Sequence, residues 1–376
     1  MNFPAKYFFV LVAALVLIGC RTNPPYQEPP ELDATVQTLM QEFNAATVGA
    51  GIIRNGELVW TGFYGEEAPG VPASHRSVFN TASMNKSITA ELALRLQSLD
   101  LIDLDAPISE FYVHPDIKDD PRHQLLTPRV LLTHQAGFLN WPFLYNDEKL
   151  AFIDQPGNGN YHYSGIGVRI FAKYLEYKLN QPFPDIVREQ ILVPLDMGHT
   201  TNSHDVARNF THVVRPVDSE GEFLEETSFE TDYWSAADDL FTTVDDYAAF
   251  LIATMNNTPV DESSAVLREQ LQTDLTNNQI WGCDQVDLSP CPAPYGHSVG
   301  WFVFGYNGEL VVHHGGNDVS EGAIGYFDPK TRDGGIVFIN GPKGLQMWPK
   351  VVELIDPKQR VTAVFEALIA KYFAED

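Results

Sequence analysis

Basic residues are scarce in this chain. Lys and Arg total 24 against 50 Asp and Glu, a formal charge of −26 over 376 residues. A surface that acidic repels phosphate backbones, so nucleic acid is not an expected partner. Cysteine is scarcer still: there are three, Cys20, Cys283 and Cys291. No Cys-x-x-Cys, His-x-x-x-His or His-Glu-x-x-His spacing is present, which argues against a metal site. No metal or other cofactor is expected. The apolar run over residues 7–18 is too short to cross ~30 Å of hydrocarbon as a helix. There is no internal repeat and no interior low-complexity linker. What is abundant is apolar material, 44% against 20% charged, enough for a sizeable core and incompatible with wholesale disorder.

The N-terminus reads as a separate object. Lys6 is the one charge before Cys20, and the apolar run suits the h-region of a secretory signal. The run ends Leu17-Ile18-Gly19-Cys20, which resembles the lipobox of bacterial lipoproteins. That resemblance implies a signal peptide over 1–19 and a lipidated Cys20. It also implies an exported protein held at a cell-envelope membrane, the outer one being favoured by Arg21. Residues 20–32, with Pro24, Pro25, Pro29 and Pro30, read as an extended tether. An oxidising compartment makes a local Cys283–Cys291 disulfide plausible.

From residue 33 the pattern is helix and strands, then helices, then strands and helix. Residues 33–43 carry apolar groups at helical spacing. Asn55-Gly56 separates two apolar runs, 48–54 and 57–63, and Asn307-Gly308 separates 300–305 and 309–314. Asn-Gly in that setting predicts a type I′ hairpin. Further strands are expected at 322–327 and 335–340, and a C-terminal helix over 351–373, broken near Pro357. Residues 83–99 read as a helix with Ile88, Leu92, Leu96 and Leu99 on one face. Thr127-Pro128 opens a short helix, and 164–180, 184–192 and 244–255 also read helical. Strands and helices do not alternate, so a doubly wound sheet is disfavoured. The expectation is an α/β (α+β) fold. An antiparallel sheet would be built from both termini (about 33–82 and 295–376), with a mainly helical part (about 83–294) inserted.

Ser83-Met84-Asn85-Lys86 stands where a loop enters a helix. Positions three apart project on one face, so the Lys86 amine can approach the Ser83 hydroxyl. Burial can strip such an amine of its proton and make it a base. Further on come Asn160-Tyr161-His162-Tyr163-Ser164-Gly165 and Val312-His313-His314-Gly315-Gly316-Asn317. In this order the three stretches resemble the Ser-x-x-Lys, Tyr-x-Asn and Lys/His-x-Gly motifs of the penicillin-recognising serine hydrolases: class C-type β-lactamases, D-alanyl-D-alanine carboxypeptidases and related esterases. Leu131 to Gly137, Leu101 to Pro107, Tyr163 to Met197 (ending Pro194-Leu195-Asp196-Met197) and Ala236 to Phe250 are similar to that family's intervening stretches. The resemblance covers about 33–340.

It implies a β-lactamase/transpeptidase-like fold and an acyl-enzyme hydrolase of an ester, a D-amino-acid peptide or a β-lactam. Ser83 would be the nucleophile, with Lys86 and Tyr163 as the proton-transfer pair. His314 would hold a substrate carboxylate or support Tyr163. Gly316 and Asn317 would line the oxyanion site, where the backbone N–H groups of Ser83 and Asn317 donate. One position departs from the pattern: Gly165 stands where the family has Asn. Asn160 or Asn85 would have to substitute, and the departure tilts the reading toward esterase or D-peptide chemistry. Tyr161 remains an alternative to Tyr163. A catalytically weak ligand- or peptidoglycan-binding lipoprotein is the non-enzymatic alternative. A remote one is an α/β-hydrolase using Ser298 in Gly296-His297-Ser298-Val299-Gly300. His134 reads as structural, Asp238-Asp239 and Asp245-Asp246 as capping or solvated carboxylates, and Trp141, Phe143 and Tyr145 as core or cleft wall.

Overall fold

The computed structural model describes residues 26–225, 234–358 and 361–373. The expected signal peptide, Cys20 and the start of the tether lie outside the described residues. From Tyr26 the tether is docked rather than free: its Oη donates to Ile355 O at 3.1 Å and its ring packs 5.7 Å from that of Trp60.

Strands β1 (Thr47–Arg54) and β2 (Glu57–Ala68) form the first hairpin. Asn55 and Gly56 take φ of 52° and 76°, as a type I′ turn requires. Short β3 (Val71–Pro72) extends that edge, and β4 (Phe79–Asn80) pairs with β5 (Phe241–Thr242) as a separate ribbon. Then follow β6 (Thr273–Asp274), β7 (Tyr295–His297), β8 (Phe302–Tyr306), β9 (Glu309–Asn317), β10 (Glu321–Phe327) and β11 (Gly334–Asn340). Among the described residues nine strands make one antiparallel sheet in the order β3-β2-β1-β11-β10-β9-β8-β7-β6. The two ends of the chain meet at its centre, where Thr47 faces Asn340 and Ile53 faces Gly334.

Side-chain alternation on the central strands separates two cores. On β11, Val337 and Ile339 pack with helices Leu32–Glu42, Gly344–Ile355 and Val361–Tyr372, whereas Ile336 and Phe338 face the opposite layer. In that layer lie helices Asn85–Ser98, Gly165–Leu179 and Val244–Met255. Gly49 and Gly51 on β1 admit the third of these closely: a Cβ at either would come within 3.0 Å of Val244. The C-terminal helix thus begins at 344 rather than 351, with Pro349 inside it and buried Met347, Trp348 and Val351 holding it to the sheet.

Helix Asn85–Ser98 is buried on nearly every side rather than along one stripe. Leu99 lies beyond its end, 44% exposed, and is not part of the apolar face expected of it. Being central, the helix must pair the charges it carries inward. Glu91 accepts from Arg268 Nε (2.7 Å) and Nη2 (2.6 Å) and from Trp301 Nε1 (2.9 Å). Arg268 is 1% exposed, so removing its carboxylate strands a charge in the core. Glu91→Ala is expected to lower unfolding stability by about 3–5 kcal/mol, read as a shift of the urea midpoint at unchanged slope.

Candidate active site

The turn before Ser83 is tightly held. Thr81 donates to Leu240 O through its N–H (2.8 Å) and its Oγ1 (2.9 Å), and Ala82 N donates to Asn80 Oδ1 at 3.1 Å. Ala82 takes φ of 46°, an unfavourable left-handed conformation for alanine that these bonds enforce. A short 3-10 turn, Ala82–Met84, then feeds the Asn85–Ser98 helix. Ser83 and Lys86 fall on one face, with Lys86 Nζ 2.9 Å from Ser83 Oγ. The amine is 1% exposed and donates also to Ala237 O at 2.5 Å. Among the described residues it forms no ion pair; its other neighbours are two rings, Tyr163 at 4.9 Å and Trp141 at 5.6 Å from Nζ to centroid.

His134 sets the position of Tyr163. Its φ is 57°, its O accepts from His162 N (2.8 Å), and its Nδ1 accepts from Ser164 N (3.1 Å). The His134 ring then lies 4.5 Å from that of Tyr163. Ser164 Oγ accepts from Gly167 N at 3.0 Å, capping helix Gly165–Leu179 directly behind the tyrosine. Upstream, Asp154 gathers Asn158 (2.8 Å), Asn160 (2.8 Å) and His162 (2.9 Å); these bonds, His162 first, hold its carboxyl well below the usual range. Tyr161 points the other way. It is buried against His134, His297 and Phe302, and its hydroxyl has no partner among the described residues. The structure therefore brings Tyr163, not Tyr161, to Lys86.

Gly165 has a specific tenant. A Cβ there would lie 2.4 Å from the Trp141 ring, so the indole fills the space a side chain at 165 would take. Neither expected substitute reaches it. Asn160 is engaged with Asp154, and Asn85 Nδ2 donates to Ser235 O (2.6 Å) and Asp238 O (3.0 Å). An apolar ring thus stands beside the amine where a carboxamide was expected. Of the other aromatics, Phe143 is 68% exposed, and buried Tyr145 accepts from Leu139 N through Oη at 2.6 Å. Thr243, not an aspartate, caps the helix by accepting from Asp246 N; the Asp246 carboxylate accepts from Thr200 Oγ1 and His199 N, and Asp238 is pushed up by burial and by Asp239.

Strand β9 forms the opposite wall. A Cβ at Gly316 would lie 1.9 Å from Thr81 O and 3.1 Å from Ser83 N, so only glycine lets β9 run against the Ser83 amide. Asn317 follows at the exposed strand end. His314 is 1% exposed; its Nδ1 lies 2.7 Å from Gly315 O, and its Nε2 has no partner among the described residues. Burial first, then Lys86 and His297, hold its pKa well below the ordinary value. A neutral imidazole supplies no counter-charge, so His314 can meet a substrate carboxylate or Tyr163 only by hydrogen bonding through that unpartnered Nε2. His313 points to the other core, between Phe304 and Phe365. Two remaining readings resolve here. Ser298 is fully buried between two strands, its Oγ donating to Arg268 O at 2.7 Å, so it is no nucleophile elbow. Cys283 and Cys291 are disulfide-bonded, with Cα atoms 5.7 Å apart. Sequence reasoning passed over Ala237 O, the Trp141–Gly165 contact and His297. Only the size complementarity of Trp and Gly hinted at the second.

Two measurements test these contacts. Gly165→Asn is expected to cost about 1–3 kcal/mol through overpacking against Trp141, and Trp141→Ala in the same chain should recover part of that loss. Additive effects in a denaturation cycle would contradict the contact. Second, His134, His297, His313 and His314 are all depressed chiefly by burial, His297 and His313 to about 3. Below about pH 6.5 the unfolded chain takes up these protons and the folded chain does not, so stability falls with pH by about 1.4 kcal/mol per unit for each imidazole. His313→Phe should flatten the curve between about pH 6.5 and 4 by one proton. An unchanged slope would mean that His313 is protonated in the fold.

Comparison with known proteins agrees with this geometry. A model of the beta-lactamase family matches residues 32–356. The Dictyostelium discoideum "Beta-lactamase-like protein 2" is 21% identical over 309 residues, 72% of this chain and 56% of its own length. The matches span about half the length of the curated relatives. The octameric penicillin-binding protein homologue from Pyrococcus abyssi superposes with a TM-score of 0.71 at 20% identity, over 86% of this chain and 77% of that one. The D-alanine carboxypeptidase AmpC from Burkholderia cenocepacia gives 0.67 at 16% identity, over 87% and 98%. At such identities these two establish the fold alone. With the family model covering nearly all of the described sheet and the stretches that carry Ser83, Lys86 and Tyr163, the chain belongs to the beta-lactamase family.

Proposed function

We propose that the chain is a serine hydrolase that works through an acyl-enzyme on Ser83, with carboxylic esters as its preferred substrates. The observation that carries this reading is Lys86 Nζ at 2.9 Å from Ser83 Oγ, with the Tyr163 ring 4.9 Å from the same nitrogen. Ser83 Oγ attacks the acyl carbon while its proton moves to the Lys86–Tyr163 pair. The C–O bond to the leaving group breaks, and the alkoxide takes that proton and departs as an alcohol. Water then attacks the acyl-enzyme, gives one proton back through the pair to Ser83, and releases the acid. The N–H groups of Ser83 and Asn317 stabilise the oxyanion at each stage, each donor contributing about 3 kcal/mol. The ester preference follows from Trp141: with an indole at the Gly165 position, no side-chain amide stands there to bind an acyl amide.

A fluorophosphonate probe is expected to add once, at Ser83, by intact-mass and peptide analysis, and Ser83→Ala should take no label. Lys86→Ala and Tyr163→Phe should each lower kcat/KM on a nitrophenyl ester by about a hundred- to ten-thousandfold, and Tyr161→Phe should leave it near wild type. Turnover of nitrocefin or a D-Ala-D-Ala peptide without ester turnover would reverse the substrate preference. No adduct with any acylating probe would replace the hydrolase by a ligand-binding protein on the same fold.

A further inference from the structure

A cavity of about 350 Å³ opens beside the catalytic cleft, lined among others by Tyr112, Pro142, Ile166, Arg169, Lys173 and Trp234. Three of its lining residues adjoin, along the chain, residues that pack around the nucleophile helix. Trp141, which fills the Gly165 position next to Lys86, precedes Pro142. Gly165 precedes Ile166. Trp234 precedes Ser235, whose carbonyl anchors Asn85 on the nucleophile helix. Arg169 also lies close enough to act on Asp238, the carboxylate on which Lys86 acts from the cleft.

Acidic residues outnumber basic ones 50 to 24. Among the described residues Arg54, Arg122, Arg129, Arg188, Arg208 and Arg268 bond to carboxylates, whereas Arg76, Arg95, Arg169, Arg215 and Arg332 do not, and of these five Arg169 is the one that lines this cavity. Arg169 makes no ion pair or hydrogen bond with any described residue and stands exposed at the cavity. Lys173, one helical turn on, is already paired with Glu176 (2.7 Å) and lies 4.7 Å over the Trp234 ring. Burial lowers the pKa of His114, which also lines the cavity, an effect opposed by Asp116 and reinforced by Arg169. Asp116 and Glu176 are nearby carboxylates: Asp116 accepts from Leu150 N and lies 3.8 Å from His114, and Glu176 accepts from Lys173 and Phe183 N, so neither pairs with Arg169. One guanidinium fork is thus available above an apolar and aromatic floor. Such a fork suits a carboxylate carried on an apolar arm.

We infer that this cavity is a substrate subsite that binds a carboxylate-bearing aryl or alkyl arm, with Arg169 as the anion's partner. The cleft itself offers no cation for that purpose, because His314 is neutral and Lys86 is engaged with Ser83. An ester bearing a remote acid would therefore be held by Arg169 while Ser83 attacks, remote binding energy being used to position the reacting bond. As a substrate subsite it rests on Ser83 being the nucleophile; as an anion site it does not.

Isothermal titration of the full chain with phenylbutyrate and with its neutral amide separates the two questions. The acid is expected to bind roughly tenfold more tightly than the amide. Arg169→Gln should abolish that preference without changing the melting temperature, and Ser83→Ala should keep it. Equal binding of acid and amide, or a preference that survives Arg169→Gln, overturns the site. Kinetics then tests its use: the nitrophenyl monoester of glutaric acid should show a lower KM than nitrophenyl valerate, and Arg169→Gln should raise only the first. Retained carboxylate preference with no ester turnover would defeat the hydrolase reading and leave the anion site standing. Ser83 acylation with no discrimination between acid and amide would do the reverse.

Discussion

A lysine side chain carried on a helix with protein on almost every side is the constraint around which this molecule is arranged. Lys86 is 1% exposed, and leaving its N–H groups unpaired there would be costly. Its partners are a hydroxyl three residues earlier and a carbonyl 151 residues later, at Ala237. The second cannot be in place until the segment beyond residue 234 has folded across the helix. Asn85 fixes the same segment by donating to Ser235 and Asp238, and Thr89 does so by donating to Ala236 O at 2.7 Å. Two turns along, Glu91 ties the helix to Arg268 and Trp301. Reactive serine and stable core are therefore consequences of one buried helix whose polar groups are matched individually.

The surroundings of that amine are less polar than the family pattern implies. Trp141 takes the space beside Gly165, and a nest of neutral imidazoles, His134, His297 and His314, backs the cleft. These imidazoles are neutral for a mutual reason: each is buried, and each would share that burial with another cation if charged. The cavity next to them holds an exposed guanidinium, Arg169, without a carboxylate partner among the described residues.

Much of this was legible in the chain. The two Asn-Gly turns, the Thr127 cap and the Ser-x-x-Lys spacing are local features, set by φ preferences and by the 3.6-residue turn, and they fall where expected. Boundaries that depend on packing did not. Leu99 looks like the last residue of an apolar stripe but is exposed, and the last helices begin seven residues before the expected start because Met347 and Trp348 bury against the sheet. The tether's final residues look extended and polar, yet Tyr26 docks on Trp60 and Ile355.

The amino-acid order by itself determined the antiparallel hairpins, the central helix with a hydroxyl and an amine one turn apart, and the three stretches that had to converge. It did so because those properties arise between residues close along the chain. Which tyrosine faces the amine, which ring fills the space at Gly165, which histidines are buried and which arginine lines the neighbouring cavity were decided only by the tertiary structure. Each depends on groups separated by tens to hundreds of residues, whose distances and burial exist only once the two ends of the chain pair as β1 and β11.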